Sequence, residues 1–243
     1  MDHFEGKSAF EHIQEARMKT KSKLKENHAV ETKSFVDAFI RLILETAIFF
    51  GILKVFSLFL NISDKFLFIL LLSFIFSKVI LCALDGWCRL QRLHRVISEE
   101  RFEIEHHEEQ EKQELIAMYR AKGFEGKLLE DVVSVLMADR NRLLSIMLEE
   151  ELGLKIESYD HPLLQAFGAL SGGLIVFLAA FVSSFFSNPL IEISTAFVFV
   201  FIGAYSKAHI EKISRMKTTV WHIANFLFLI SLLYLILKNL MSS

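Results

Sequence analysis

Proline and cysteine are almost missing from this sequence, two of each in 243 residues. With Pro162 and Pro189 the only prolines, little interrupts long helices. Cys82 and Cys88 both sit at the end of an apolar segment, so neither a disulfide framework nor a CxxC metal pattern is available. Excess charge is missing too. The net of −2 gives no basic footprint for nucleic acid, and none is expected as a partner. More than thirty polar N-terminal residues argue against a cleavable signal peptide. No Ser/His/Asp or Cys/His catalytic arrangement stands out, so no enzyme is expected. Gly172-Gly173 lies in an apolar run rather than in a phosphate loop; with Gly168 and Ala169 it has the small-xxx-small spacing of helix packing.

What the chain has in plenty is apolar side chains: 53% of residues, 24 of them Phe, with a mean hydropathy of +0.39. They cluster in five runs at about 36–60, 66–84, 163–187, 189–206 and 219–237. Each is long enough to cross a hydrocarbon core about 30 Å thick. Glu45, Lys54, Lys78, Glu192 and His222 fall inside them, where ionisable groups are costly and tend to have a partner or a task. The basic residues fall in residues 1–35, after the second run (Arg89, Arg92, Arg95) and in 207–218. By the positive-inside rule the N-terminus is then cytoplasmic and the C-terminus outside. The polar stretch between the second and third runs is cytoplasmic as well. The expected architecture is an all-α membrane protein of about five transmembrane helices, with a three-helix cytoplasmic domain inserted between the second and third. The divisions are 1–35, a cytoplasmic segment; 36–97, transmembrane helices 1 and 2; 98–161, an acidic helical domain; and 162–243, transmembrane helices 3 to 5. The basic run from Arg17 to Lys25 suits either a surface helix on anionic lipid or a flexible tail.

The inserted stretch is strongly acidic, with 17 Asp and Glu against 8 Lys and Arg between Ser98 and His161. Ser98 to Lys122 contains no Gly or Pro and reads as one helix, with Gly123 placed to cap it. At about 100° per residue, Glu100, Glu103, His107, Glu111, Glu114 and Met118 share one narrow stripe. Like charges at that spacing repel, and a bound cation would offset the repulsion. A solvated acidic face is the plain alternative, since Glu99, Glu105, Glu108 and Glu109 lie off the stripe. Further helices fit 125–138 and 139–152, the last with Gly153 as its cap. On that last helix Met147, Glu150 and Glu151 share a face. Carboxylates with a thioether suit Fe²⁺ or Mn²⁺ better than Ca²⁺, although a buried Met is also an ordinary core residue.

The run Glu111-x-x-Glu114-Leu-Ile-Ala-Met-Tyr119, then Lys122-Gly-Phe124, Val132-Val133 and Met147-x-x-Glu-Glu-Leu-Gly-Leu154, resembles the vacuolar iron transporter family. The five-run layout and Pro162 at the start of the third run are similar to it as well. The resemblance implies a homodimer whose cytoplasmic acidic helices gather divalent ions for a proton-coupled exporter. Carried over by position, the implied ligands are Glu100, Glu103, Glu111, Glu114, Met147 and Glu151; His107 and Glu150 join them from the stripe and the shared face. The implied cargo is Fe²⁺, with Mn²⁺ or Zn²⁺ as further candidates. Asp37 stands nearest the family's transport Asp. The chain departs from the family pattern at Leu148, where an acid is common. It also lacks a Pro near Glu108, and has Leu70 and Lys78 near two positions of the ion path. Two other readings remain. One is a metal-binding membrane protein that senses or buffers without transport. The other is a di-iron oxidase built on Glu103-x-x-His106, which lacks the second such pair that the chemistry uses.

Overall fold

The computed structural model describes residues 34–151, 161–186 and 188–242. These residues form α1 (Ser34–Leu60), α2 (Asp64–His106), α3 (Glu108–Ala121), α4 (Gly126–Met137), α5 (Arg140–Ile146), a π-helical turn (Met147–Glu151), α6 (Pro162–Ser184), α7 (Pro189–Ile210) and α8 (Arg215–Ser242). No strand occurs among them. Residues 1–33 and Gly153 lie outside the described residues. Five helices, α1, α2, α6, α7 and α8, are long and apolar enough to cross a membrane. The chain is an all-α membrane protein. It divides into two compact units, with the boundary inside α2 between Trp87 and Cys88.

In the first unit α1 is the central helix. It packs on α6, α7 and α8, and Leu67, Leu71 and Ile75 of α2 join the same core. Close approach is possible because α6 turns small residues inward. A Cβ on Gly172 would lie 2.2 Å from the Phe39 carbonyl oxygen, and one on Gly168 2.4 Å from that of Phe35. Backbone therefore rests on backbone, as membrane helices require where no hydrophobic effect drives them together. Both prolines stand at the first position of a helix, where the missing N–H costs nothing. His161 Nδ1 caps α6 by accepting from Leu163 N–H at 3.2 Å, and Asn188 Oδ1 caps α7 by accepting from Leu190 N–H at 3.0 Å. Asn61 ends the turn after α1 in the left-handed region, φ 48°, and Lys212 does the same after α7, φ 54°. The large apolar side chains left outward, such as Phe185, Leu190, Trp221 and Phe228, are those a bilayer would cover.

The second unit comprises the end of α2 with α3, α4, α5 and the π-helical turn. Its core gathers Leu93, Ile104, Leu115, Met118, Leu129, Val133, Leu143, Leu144, Met147 and Leu148. Gly123 caps α3 as expected, with φ 93°: its N–H reaches Arg120 O, Phe124 N–H reaches back to Tyr119 O, and the two rings meet edge-on. Asp139 caps α5, its Oδ1 accepting from Asn141 N–H at 2.9 Å.

Candidate metal-binding site

The expected single helix over 98–122 is broken. α2 ends at His106, His107 leaves helical geometry (φ −130°, ψ 37°), and α3 starts at Glu108. The His107 carbonyl accepts the N–H groups of Gln110 and Glu111 and so opens the new helix. Electrostatics gives the reason. In an unbroken helix Glu108, Glu109 and Glu111 would sit in the middle; the break sets all three in a first turn, where the helix dipole favours negative charge. No proline is needed. The stripe is thus two short stripes: Glu100 and Glu103 on the end of α2, and Glu111, Glu114 and Met118 on α3.

The break still leaves the acids gathered. Glu100, Glu111 and Glu114 are buried, Glu111 and Glu114 at 1% exposure, and Glu103 is half-buried. Glu111 carries the electrical consequence. Burial, and then the charges of Glu100 and Glu103, raise its carboxyl from 4.5 to about 8. Those three groups therefore feel one another, and at neutral pH Glu111 keeps its proton. Gln110, beside it, has a buried Oε1 without a hydrogen-bond partner among the described residues. Such an amide oxygen suits a hard cation or a water bound to one. Sequence reading passed over it because a Gln in an acidic run carries no signal of its own.

The other predicted residues are placed differently. Met147 and Leu148 are fully enclosed in the core cluster, which explains why an acid is absent after Met147. From Met147 the helix widens to π spacing, which adds roughly one residue per turn and swings Glu150 away from the Met147 side on which it was expected. Glu150 instead reaches Lys122 at 2.6 Å, where the ammonium also lies over the Tyr119 ring. The side chain of Glu151 is outside the described residues. His107 is half-buried at the break. His106 is exposed, stacks on Phe102 and holds the Phe102 carbonyl through Nδ1 at 2.9 Å, an arrangement of its own that lends the di-iron reading nothing. Among the described residues no three His, Cys, Asp or Glu side chains close into a ready metal cage. The cluster is an acid-rich, largely buried surface.

In the membrane unit Asp37 is exposed and makes no ion pair with Arg41, which donates instead to the Cys82 thiol at 3.6 Å. His222 and Asn225 are both tied to carbonyls of their own helix, at Thr218 and Trp221. Lys78 pairs with Glu45 at 2.9 Å, and Lys54 pairs with both Glu192 and Asp64.

No curated protein matches the chain. A family model described as the VIT family matches residues 89–232, which takes in the whole acid cluster, α6, α7 and the greater part of α8. With more than half of its 243 residues matched, five membrane-length helices and this buried carboxylate group, the chain belongs to the vacuolar iron transporter family, a family of metal-ion transporters rather than enzymes.

Proposed function

We propose that the protein moves divalent transition-metal ions, Fe²⁺ or Mn²⁺ foremost and Zn²⁺ as a further candidate, across a membrane in exchange for protons. Ions are gathered first on the cytoplasmic face by Glu100, Glu103, Glu111 and Glu114. The observation that supports this most is the burial of Glu111 beside the charges of Glu100 and Glu103, which disfavours its ionised form and which a bound cation would relieve. Gln110 contributes a neutral oxygen. Met147 lies in the adjoining core and gives the gathering surface a thioether within the same unit. His107, Glu150 and Glu151 stand as outer ligands. The working form proposed is a homodimer, as the family resemblance implies, with the acidic helices of two copies gathering the ions together. Asp37, exposed near the start of α1, is the proposed entry carboxylate of the transport path.

A second reading has support from the membrane helices, whose inward carboxylates already hold lysines. On that reading the protein binds metal as a sensor or buffer and moves none. One assay separates the two: Fe²⁺ or Mn²⁺ flux into proteoliposomes under a proton gradient. The transport reading expects flux above empty liposomes, lost in Asp37→Asn with metal binding retained. Bound metal with no flux leaves the buffer reading standing. Calorimetry on Glu111→Ala with Glu114→Ala tests the gathering site, and parent-like binding by that double variant removes it.

A further inference from the structure

Among the described residues of the membrane unit, three carboxylates are buried or half-buried: Glu45, Glu192 and Glu211. Each has a lysine partner, Lys78, Lys54 and Lys207 respectively. The chain therefore brings its own cations to the inward acids of this unit.

The pairs differ in access. Lys54 and Glu192 are sealed, with 4% and 6% of their side chains exposed, and Asp64 adds a second carboxylate. That arrangement is a fixed tie between α1, α2 and α7. Lys78 and Glu45 are 36% and 33% exposed and line an open pocket of about 150 Å³. The space is enough for a cation with several waters. Arg41 and Glu45 reach the pocket from one turn of α1, and Lys78, Cys82 and Asp85 from successive turns of α2. Arg41 is engaged with the Cys82 thiol. The Lys78 ammonium has a second support, the face of the Phe74 ring, 5.4 Å to its centroid. It can therefore give up the carboxylate without being left bare in apolar surroundings, since a ring face attracts a cation.

We propose that Lys78 is a specificity-determining residue whose tethered ammonium occupies the Glu45 carboxylate and competes there with a divalent cation. The inference rests on the transport reading. A cation entering the pocket must displace the ammonium from Glu45 onto the Phe74 face. A divalent ion does so more readily than a monovalent one, because its attraction to the same carboxylate is twice as large at equal distance. Lys78 thus lowers the affinity of the pocket and filters by charge.

The test is Mn²⁺ influx into proteoliposomes holding the full chain, compared among the parent, Lys78→Gln, Lys78→Met, and Lys78→Gln with Glu45→Gln. Lys65→Gln, which removes one exposed positive charge elsewhere, is the control for net charge. Monodisperse elution and a parent-like melting temperature qualify each variant as folded. The expected result is a rise of about tenfold in influx at sub-saturating Mn²⁺ for both Lys78 variants, equivalent to about 1.4 kcal/mol of competition removed. The rise disappears when Glu45 is also neutral, and Lys65→Gln shows none. Flux seen in the Lys78 variants but not in the parent upholds the inference while denying transport to the parent itself. Unchanged or lower flux in folded Lys78 variants overturns it. No flux in any variant overturns both it and the transport reading.

Discussion

Glu111 is the residue at which the site's electrostatics can be measured. Its carboxyl moves from an ordinary 4.5 to about 8, first by burial and then by Glu100 and Glu103. That displacement corresponds to about 5 kcal/mol against the ionised form. At pH 7 the group is then about nine-tenths protonated. A metal that uses Glu111 must expel this proton, because only the carboxylate ligates. Calorimetric titration of the full-length protein with Mn²⁺, in two buffers of different ionisation enthalpy, counts the protons released. At pH 7 the parent should release about one more per ion than Glu111→Gln does. Between pH 8 and pH 6 the parent's affinity should fall roughly fiftyfold through this group alone, and the variant's fall should be smaller by that factor. The metal-free protein follows the same sign. The folded pKa lies above the unfolded value, so the native state holds a proton that the unfolded state gives up. The contribution of Glu111 to stability is fully present below pH 4.5 and is lost as pH rises through about 8. Glu111→Gln should therefore gain melting temperature over the parent at pH 8 and lose that advantage near pH 5. Equal proton release by parent and variant would refute the reasoning, because Glu111 would then be either already ionised at pH 7 or not a ligand.

Three further outcomes follow from the membrane unit. Lys54→Met should cost about 3–5 kcal/mol by stranding the buried Glu192 carboxylate, whereas Lys54→Met with Glu192→Leu should recover most of it; thermal unfolding in detergent reads both. Gly172→Ala should lower the melting temperature more than Gly51→Ala, because the first forces a Cβ onto the Phe39 backbone carbonyl and the second meets only side-chain atoms of Phe226 and Ile230. In a background with Cys82 and Cys88 replaced by Ser, cysteines at Asn61 and Asn188 should be labelled from outside intact cells, and cysteines at Glu125 and Lys212 should not; the reverse pattern would place the acid cluster on the wrong side for gathering ions.

The five membrane helices were legible because their signal is additive: twenty apolar residues in a row outweigh one Glu or Lys. The cap at Gly123 was legible because it depends on local chemistry. Two features of the site were not. The break at His107 has no Gly or Pro to announce it; it arises from the placement of Glu108, Glu109 and Glu111 relative to a helix dipole, a property of the sum rather than of one residue. The π-helical turn at Met147 changes which side chains share a face, and a strictly α-helical projection set Glu150 beside Met147 where the fold turns it to Lys122. Nor does spacing along one helix identify which lysine meets which acid. Lys78 and Glu45 are 33 positions apart in sequence, and Lys54 and Glu192 much further, so only packing brings them together.

That distribution has a functional consequence. The family match begins at residue 89 and so takes in the acid cluster, but Glu45, Lys54 and Lys78 all precede it. The part of the chain proposed to gather cations carries the family pattern, and the lysine–acid pairs Lys78–Glu45 and Lys54–Glu192 are built largely from residues outside it. Gathering and crossing make opposite demands on charge. A gathering surface works best with carboxylates crowded enough to raise one another's pKa, since each bound ion then relieves repulsion as well as gaining a ligand. A crossing path works best when each carboxylate is held loosely, because an ion bound too tightly at mid-membrane does not leave. A lysine tethered at 2.9 Å from Glu45 loosens that hold without deleting the acid, and a sealed lysine at Glu192 withdraws a second acid from the path altogether. The two ammoniums therefore act in different ways: Lys54 fixes the bundle, and Lys78 sets how strongly the Glu45 carboxylate holds an ion.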